Sequence, residues 1–156
     1  MSSHRLHIKD ESGQALPEFA LVLPVLIVIL FSVIHFGKAF NYWNDATHLT
    51  AEAARFAAVN RKPDSANAAS LQQQIKNQAD TAELRNGSGA VSGTQVCVNF
   101  PNGTSNAGDP VRVTMSFTYN WIPLIGTRIG TTQSAITSST VMRLETTPTN
   151  FSAGCA

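Results

Sequence analysis

The chain has 156 residues, of which 43% are hydrophobic and 13% are charged, and its formal net charge is +1. This length allows one domain with an anchor, or one domain alone. Because Lys and Arg are few and do not cluster, the positive surface that holds phosphate backbones is missing, and nucleic acid is not expected as a partner.

The first strong signal is an apolar run near the N-terminus. Residues 19–36 read FALVLPVLIVILFSVIHF and contain no charged side chain. A helix of this length rises about 27 Å, close to the roughly 30 Å hydrocarbon core of a bilayer. The run therefore predicts a membrane-spanning helix, with the lipid bilayer as its partner. A buried core helix is the alternative, but the remaining residues are rich in Ser, Thr, Asn and Gln and are poorly suited to enclose it.

Flanking charges and small residues bear on topology. Arg5 and Lys9 precede the run and Lys38 follows it, so the positive-inside rule weakly favours a cytoplasmic N-terminus and an exported C-terminal part. A cleaved secretory signal is the competing interpretation, but the nearest small-residue cleavage candidate, Ala51 and Ala53, lies well beyond the apolar run. We expect the segment to stay attached.

The helical period continues beyond the run. One apolar stripe recurs at steps of three and four residues or their multiples, which predicts that the helix continues to about Asn60 with its second half laid on a domain. Gly37 costs about 1 kcal/mol relative to Ala in a helix and is a candidate soft point between membrane and water. The stripe comprises Phe36, Phe40, Trp43, Leu49, Ala53 and Ala57.

A second helix is predicted after a break at residues 61–64. Ser65 can cap it, and it ends near Leu84. Its amphipathic pattern is marked by Ala68, Leu71, Ile75 and Ala79.

Residues 86–93 predict a loop, and three strands follow at residues 95–100, 111–120 and 131–145. In the second of these, apolar and polar residues alternate strictly, which indicates a strand with one face on a core. A helix first and antiparallel strands later predict an α+β fold.

The residues before the apolar run carry the main functional signal. Gly13 precedes the run, and Glu18 is the fifth residue after Gly13. An ionisable side chain at the start of a spanning helix is a functional hypothesis by default. The alternative is a helix-end anion that the helix dipole stabilises by about 0.3–1 kcal/mol.

Glycine, glutamate at the fifth place and an apolar helix resemble the prepilin peptidase site of type IV pilins. The sequences GQALPEFALVLPVLIVILFSVIHFGKAF, TAEAARFAAV, VRVTMSFTYNWIPLIG and STVMRLE are more specifically similar to the TadE-like minor pseudopilins of the tight-adherence (type IVc, Flp) pilus system. The resemblance is good over the apolar helix and looser over the last strands, and it leaves residues 63–96 largely unmatched.

The resemblance implies a pilin-like fold and a set of processing and assembly residues. A prepilin peptidase would cleave between Gly13 and Gln14, and Glu18 with Phe19 would set the register of assembly. Many family members have Tyr at the position of Phe19, which puts the role of that hydroxyl in doubt here. The other implied partners are pilin subunits and the pilus assembly platform.

The expected organisation has four parts. Residues 1–13 form a cytoplasmic leader, residues 14–36 span the inner membrane once, residues 37–60 continue the helix outside it, and residues 61–156 form a periplasmic or extracellular α+β domain. In an exported domain Cys97 and Cys155 could form a disulfide, with two free thiols as the alternative.

Catalytic and cofactor motifs are missing from the sequence. We find no zinc-ligand spacing, no P-loop, no nucleophile elbow and no dinucleotide-binding turn, so no enzyme, metal or cofactor is expected. Asp45, Glu52, Asp80 and Glu83 are interpreted as solvated helix faces. The predicted function is a minor pilin or pseudopilin; the alternatives are a membrane-tethered periplasmic binding or sensor domain outside any filament and, less favoured, an anchored enzyme.

Overall fold

The computed structural model of the chain describes residues 15–64, 69–121 and 133–156. Its α+β fold confirms the predicted fold class: a long N-terminal helix is followed by short helices and an antiparallel sheet. The chain divides into two compact units, with the boundary between Gly37 and Lys38.

Helix α1 spans Ala15–Ala58, and its apolar first part belongs to the first unit. The hydroxyl of Ser32 donates to the Val28 carbonyl at 2.7 Å, so this polar side chain needs no water. The helix continues through Gly37, which does not interrupt it. The predicted continuation of the helix to about residue 60 is thus confirmed.

In the second unit, the face of α1 that packs on the domain differs from the predicted stripe. Ala39, Tyr42 and Ala46 are buried, together with Leu49, Ala53 and Ala57 further along. The prediction was wrong for Phe40 and Trp43, which are 55% and 46% exposed. Alanines, with Tyr42 and Leu49, form the packed face. Two apolar stripes share this part of the helix, and the one that contains Phe40 and Trp43 faces outward.

The predicted second helix is two short helices. Helix α2, Leu71–Asn77, is capped by Ser70, and helix α3, Ala82–Asn86, is capped by Thr81. Each cap hydroxyl accepts a backbone N–H of the first turn at 3.2 Å, which satisfies a donor that the helix itself cannot pair. The predicted cap Ser65 and the predicted helical residue Ala68 lie outside the described residues.

Four strands form one sheet in the order β3-β2-β1-β4. They are β1 (Val91–Asn99), β2 (Pro110–Asn120), β3 (Gln133–Arg143) and β4 (Gly154–Cys155). All pairs are antiparallel. The three long strands confirm the predicted ones with shifted bounds, whereas β4, with two residues, is too short to leave a sequence signal.

Strand β1 begins four residues earlier than predicted, inside the segment interpreted as a loop. Its pairing with β2 shifts between Ser92 and Gln95, which is a β-bulge, and Gly93 within the bulge has a φ of +64°. Glycine adopts this left-handed conformation without the steric cost that a side chain brings. The glycine that favoured a loop therefore serves a bulged strand.

Residues 38–58 of α1 and one face of the sheet form the core with complementary side-chain sizes. The alanines Ala46, Ala53 and Ala57 are completely buried on the helix. Their large counterparts come from alternate positions of β2, which confirms the predicted half-buried strand. These buried β2 residues are Val111, Val113, Met115, Phe117 and Tyr119.

A chain of hydroxyl groups joins α1 to the edge of the sheet. The Thr50 and Ser138 hydroxyls lie 3.2 Å apart, Thr140 donates to Thr50 at 3.3 Å, and Ser138 donates to Thr47 at 3.3 Å. Thr50 and Ser138 are buried, and a buried hydroxyl without a partner costs about 1–3 kcal/mol. The hydroxyl chain therefore holds β3 at a defined position against the helix.

The two edges of the sheet differ. Strand β3 pairs with β2 over eleven residues without a bulge, and residues 133–142 contain no charged residue, proline or glycine. Among the described residues, no strand pairs with its outer side. The opposite edge is the two-residue β4. Of the usual protections of an edge strand, which are charge, proline, bulges and short length, β4 has short length, whereas β3 has only the charge of Arg143 at its end.

We expect Ala53→Leu to destabilise the domain by about 1–3 kcal/mol, because the added side-chain atoms have no space in a packed core. Ala51→Leu is the matched control, since Ala51 is half-buried on the same helix. Urea unfolding of the full chain in detergent micelles, followed by circular dichroism, measures both. Equal midpoints for the two variants would contradict the packing described above.

Candidate functional site

The first unit presents an apolar helix surface. The large apolar side chains of residues 16–36 are between 39% and 77% exposed, and none of these residues is buried. The helix is long and apolar enough to cross a membrane. The alternative of a buried core helix does not fit this exposure, because such a helix would hide most of these side chains.

The start of this helix carries the predicted assembly residues. Glu18 lies in the first turn of α1, where the partial positive charge of the helix N-terminus favours a carboxylate. Phe19 is exposed beside it. Gly13 and Gln14, the predicted cleavage pair, lie outside the described residues.

Tyr42 and Lys38 on α1 both contact Glu83 on helix α3. The Tyr42 hydroxyl donates to Glu83 Oε2, and Lys38 Nζ lies 3.9 Å from Glu83 Oε1. Burial, followed by the hydrogen bond to Glu83, raises the pKa of Tyr42. The tyrosine therefore stays protonated and acts as a donor to a carboxylate, which is a strong type of hydrogen bond.

Glu83 is held from its other side by the turn after α3. Gly89 has a φ of +65°, and a Cβ at this position would lie 3.0 Å from Glu83 Cδ. A side chain at residue 89 would thus displace the carboxylate that Tyr42 and Lys38 share. The Lys38 contact is partly exposed to solvent and contributes little by itself, about 0–1 kcal/mol.

Asp45 is a buried acid that the sequence analysis missed. The residue as a whole is 9% exposed, and Asp45 Oδ2 accepts the backbone N–H of Asp80 at 2.9 Å. Burial raises its pKa, with Asp80 adding to the effect, whereas the hydrogen bond and His48 act in the opposite direction. Asp45 thereby fixes the segment between α2 and α3 to helix α1. Its interpretation as part of a solvated face was wrong.

Cys97 and Cys155 are joined by a disulfide in the structure, with Sγ atoms 2.03 Å apart. The two residues face each other between β1 and β4. The bridge closes a loop of 58 residues, and such loops are worth about 4 kcal/mol in the chain-entropy model.

The C-terminal segment has more contacts than the bridge alone. Val96 and Ala156 exchange two backbone hydrogen bonds at 2.9 and 3.0 Å. The buried amide of Gln72 on α2 donates to the carbonyls of Ser152 and Gly154 at 3.0 and 3.3 Å. Strand β1 and helix α2 therefore hold the C-terminal segment in addition to the disulfide.

Comparison with known families gives one match. Residues 13–55 match the family model described as TadE-like protein. The N-terminal segment of this chain is TadE-like. The match begins at Gly13, includes the exposed apolar helix with Glu18, and ends at Arg55 on the part of α1 that packs on the domain.

This match confirms the resemblance to TadE-like proteins that the sequence analysis found. The family suggests a protein associated with the tight-adherence pilus and is not known for enzymatic activity. Neither the curated proteins nor the solved structures include a match to the chain. Residues 56–156, with α2, α3 and the sheet, lie outside the family match.

The TadE-like segment contains two of the residues that sequence reasoning missed. Tyr42 and Asp45 share a helix face with Ala39, Ala46 and Leu49. Their spacing of three and four residues is a helical signal that the sequence contains. The prediction used the more hydrophobic stripe of Phe40 and Trp43, which lies on a different face.

We expect Asp45→Asn to be at least as stable as the parent at pH 7, because it removes a buried charge and keeps an oxygen for the Asp80 N–H. With its pKa raised, the folded state binds the Asp45 proton more tightly than the unfolded chain does. The contribution of Asp45 to stability therefore falls as pH rises from the ordinary value of 3.8 through the folded-state pKa. In Asp45→Asn this decrease should disappear from urea unfolding measured at several pH values.

Asp45→Ala is the comparison variant. It removes the acceptor of the Asp80 N–H in a partly buried hydrogen bond, so it should be less stable than Asp45→Asn by about 1 kcal/mol. If Asp45→Asn and Asp45→Ala lose the same stability at pH 7, the buried charge itself stabilises the fold and the argument is wrong.

Proposed function

We propose that this chain is a minor pilin or pseudopilin, a membrane-anchored structural or assembly subunit of a tight-adherence pilus. The observation that carries the proposal is the coincidence of two features in one segment. The TadE-like match covers residues 13–55, and the same segment contains the apolar, outward-facing helix surface. A helix of this kind needs either lipid or apolar helices of other subunits around it.

The proposed topology follows the expected organisation. Residues 1–13 are a cytoplasmic leader, residues 14–36 span the inner membrane, residues 37–60 continue the helix outside it, and residues 61–156 form a periplasmic domain. The Cys97–Cys155 disulfide supports export, since such bonds persist in oxidising compartments.

Assembly would exchange one apolar environment for another. Lipid tails are as apolar as leucine, so helices associate in membranes through packing and polar contacts, without a hydrophobic driving force between them. The exposed surface of residues 16–36 can therefore leave lipid for a bundle of pilin helices at little cost. The pilus assembly platform and neighbouring pilins are the partners in this step.

Glu18 would supply the specific contact in that bundle. Cleavage after Gly13 creates an α-amino group at Gln14, which is cationic below a pKa of about 8. A carboxylate at the hydrocarbon edge is costly without a partner, and the new amine of a neighbouring subunit provides one. Pairing of the two would fix the axial register of the subunits.

The first expected result is cleavage between Gly13 and Gln14 by a prepilin peptidase. A bulky residue at the cleavage position blocks access to the backbone, so Gly13→Val should keep its full leader. Mass spectrometry of the protein from its native membrane should give Gln14 as the first residue of the parent chain. A tethered sensor domain needs no such cleavage.

Ser12→Ala is the matched control, since it changes a neighbouring residue without adding bulk, and it should be cleaved like the parent. Parent chain that keeps residues 1–13 in cells with an active prepilin peptidase would contradict the pilin assignment and favour the tethered-domain alternative.

The second expected result concerns charge at the helix start. Glu18→Gln preserves size but removes the anion, and loss of one partner from a buried ion pair costs about 3–5 kcal/mol. The variant should therefore be inserted and cleaved, yet fail to support pili in electron micrographs and shearing assays of a strain lacking the native gene.

Glu52→Gln makes the same chemical change on the domain part of α1 and should support normal pili. Normal pili in the Glu18→Gln strain would reduce Glu18 to a helix-end anion without a role in assembly.

A further inference from the structure

Two large apolar side chains at the start of the second unit remain exposed. Among the described residues from Lys38 onward, the exposed large apolar side chains are Phe40, Trp43, Val59 and Val141. Phe40 and Trp43 fall within the first six residues of this unit and are three residues apart on α1. Their rings contact each other, with centroids 5.7 Å apart.

These two aromatic rings do not belong to the core of the domain. The core at this level is filled from the other face of the helix by Ala39 and Tyr42. Phe40 and Trp43 are also missing from the partly buried side chains that pack against the core. Core stability therefore gives no reason for two large aromatic residues at these positions.

The exposed apolar surface ends at Trp43. The next exposed residues of the helix are Asn44, Thr47 and His48, all polar. Before Trp43, the exposed side chains of α1 that follow the apolar run are Lys38, Phe40 and Asn41. Of the two polar ones, Lys38 has a long side chain that can reach water from an apolar surface, and Asn41 lies within one turn of the polar residues that follow Trp43. The change from apolar to polar exposure is thus located within one helical turn.

The position and chemistry of the pair fit one environment. Trp43 lies seven residues after the apolar run, about 10 Å along an α-helix. Helical side chains point toward the N-terminus of the helix, so the indole of Trp43 lies about one turn closer to the apolar run than its Cα atom does. The headgroup layer of a leaflet is about 5–7 Å thick, and tryptophan is enriched in it because its ring is apolar while its N–H needs a polar partner.

We propose that Phe40 and Trp43 lie in the headgroup layer of the bilayer, so that the membrane boundary is at Trp43 and not at Gly37. This inference rests on the proposed membrane anchor and specifies where it ends. In this proposal, lipid covers the exposed surface of Phe40 and Trp43. A helix of a second subunit is the competing occupant, and the test distinguishes the two.

The experiment uses the full chain in phosphatidylcholine–phosphatidylglycerol vesicles, with bromine on the acyl chains near the headgroups as a lipid-side quencher and acrylamide as a water-side quencher. The chain has two tryptophans, so the difference between the parent and Trp43→Phe isolates the emission of Trp43. The remaining Trp121 is half-buried, and its indole donates to Ser134 at 2.8 Å.

We expect brominated lipid to remove most of the Trp43 emission, acrylamide to remove little of it, and Trp43→Phe to lose the response to brominated lipid. Val59→Trp in the Trp43→Phe background is the control for an exposed position just after α1 and beyond the boundary. Its new emission should respond to acrylamide and not to brominated lipid.

Quenching of Trp43 by acrylamide alone would place it in water, and quenching by neither agent would mean that protein covers it; either result overturns the inference. Flotation of the same vesicles separates this failure from failure of the anchor. A chain that floats with vesicles but shows no bromine quenching at Trp43 retains its anchor and loses only the proposed boundary. A chain that does not float overturns both.

Discussion

The packing of small side chains on α1 against large side chains on β2 is the contact on which the rest of the second unit depends. The sheet has one apolar face, and a face of this kind must be covered to be stable in water. Residues 38–58 cover it with alanines, and the hydroxyls of Thr50 and Ser138 fix β3 against the helix at the same time. Because the helix supplies little volume of its own, the sheet residues determine the shape of the core.

The short helices are then positioned by polar contacts from this central pair. Asp45 accepts the Asp80 N–H, and Tyr42 donates to Glu83, so two residues one turn apart on α1 hold the start of α3. Gln72 on α2 in turn binds the carbonyls of Ser152 and Gly154. One pair of hydrogen bonds thus joins the TadE-like helix to the start of α3, and the other joins α2 to the C-terminal segment, where the disulfide links β4 to β1.

Local signals in the sequence were sufficient for much of this fold. The alternation from Val111 to Asn120 predicted β2, because in a half-buried strand apolar residues face the core and polar residues face solvent in turn. The break between α2 and α3 was missed because residues 78–81 contain neither glycine nor proline, and because Thr81 caps α3 through a hydroxyl that is also common within helices. Strand β4 was missed because two residues are too few to show an alternation of apolar and polar side chains.

The helix face was assigned wrongly for a different reason. Hydrophobic periodicity finds an apolar stripe but not its environment, and Phe40 with Trp43 is a stronger stripe than Ala39 with Tyr42. At the candidate site, Gly13 and Glu18 were recognisable because they lie close together in sequence beside the apolar run. The Tyr42–Glu83 and Asp45–Asp80 contacts join residues 35 to 41 positions apart, and a single sequence carries no signal for such pairs.

The outer edge of β3 has no charge over residues 133–142 and no strand partner among the described residues, so in free solution β3 of a second molecule is the simplest partner for it. In an antiparallel, two-fold pair of this kind the two copies of residues 38–58 run in opposite directions. Molecules inserted in one membrane by the same N-terminal segment all have the same orientation, so this pairing is closed to them. A membrane anchor would therefore protect the edge in place of the missing charges and prolines. Release from the bilayer would turn the most regular pair of strands, β2 and β3, into a template for aggregation.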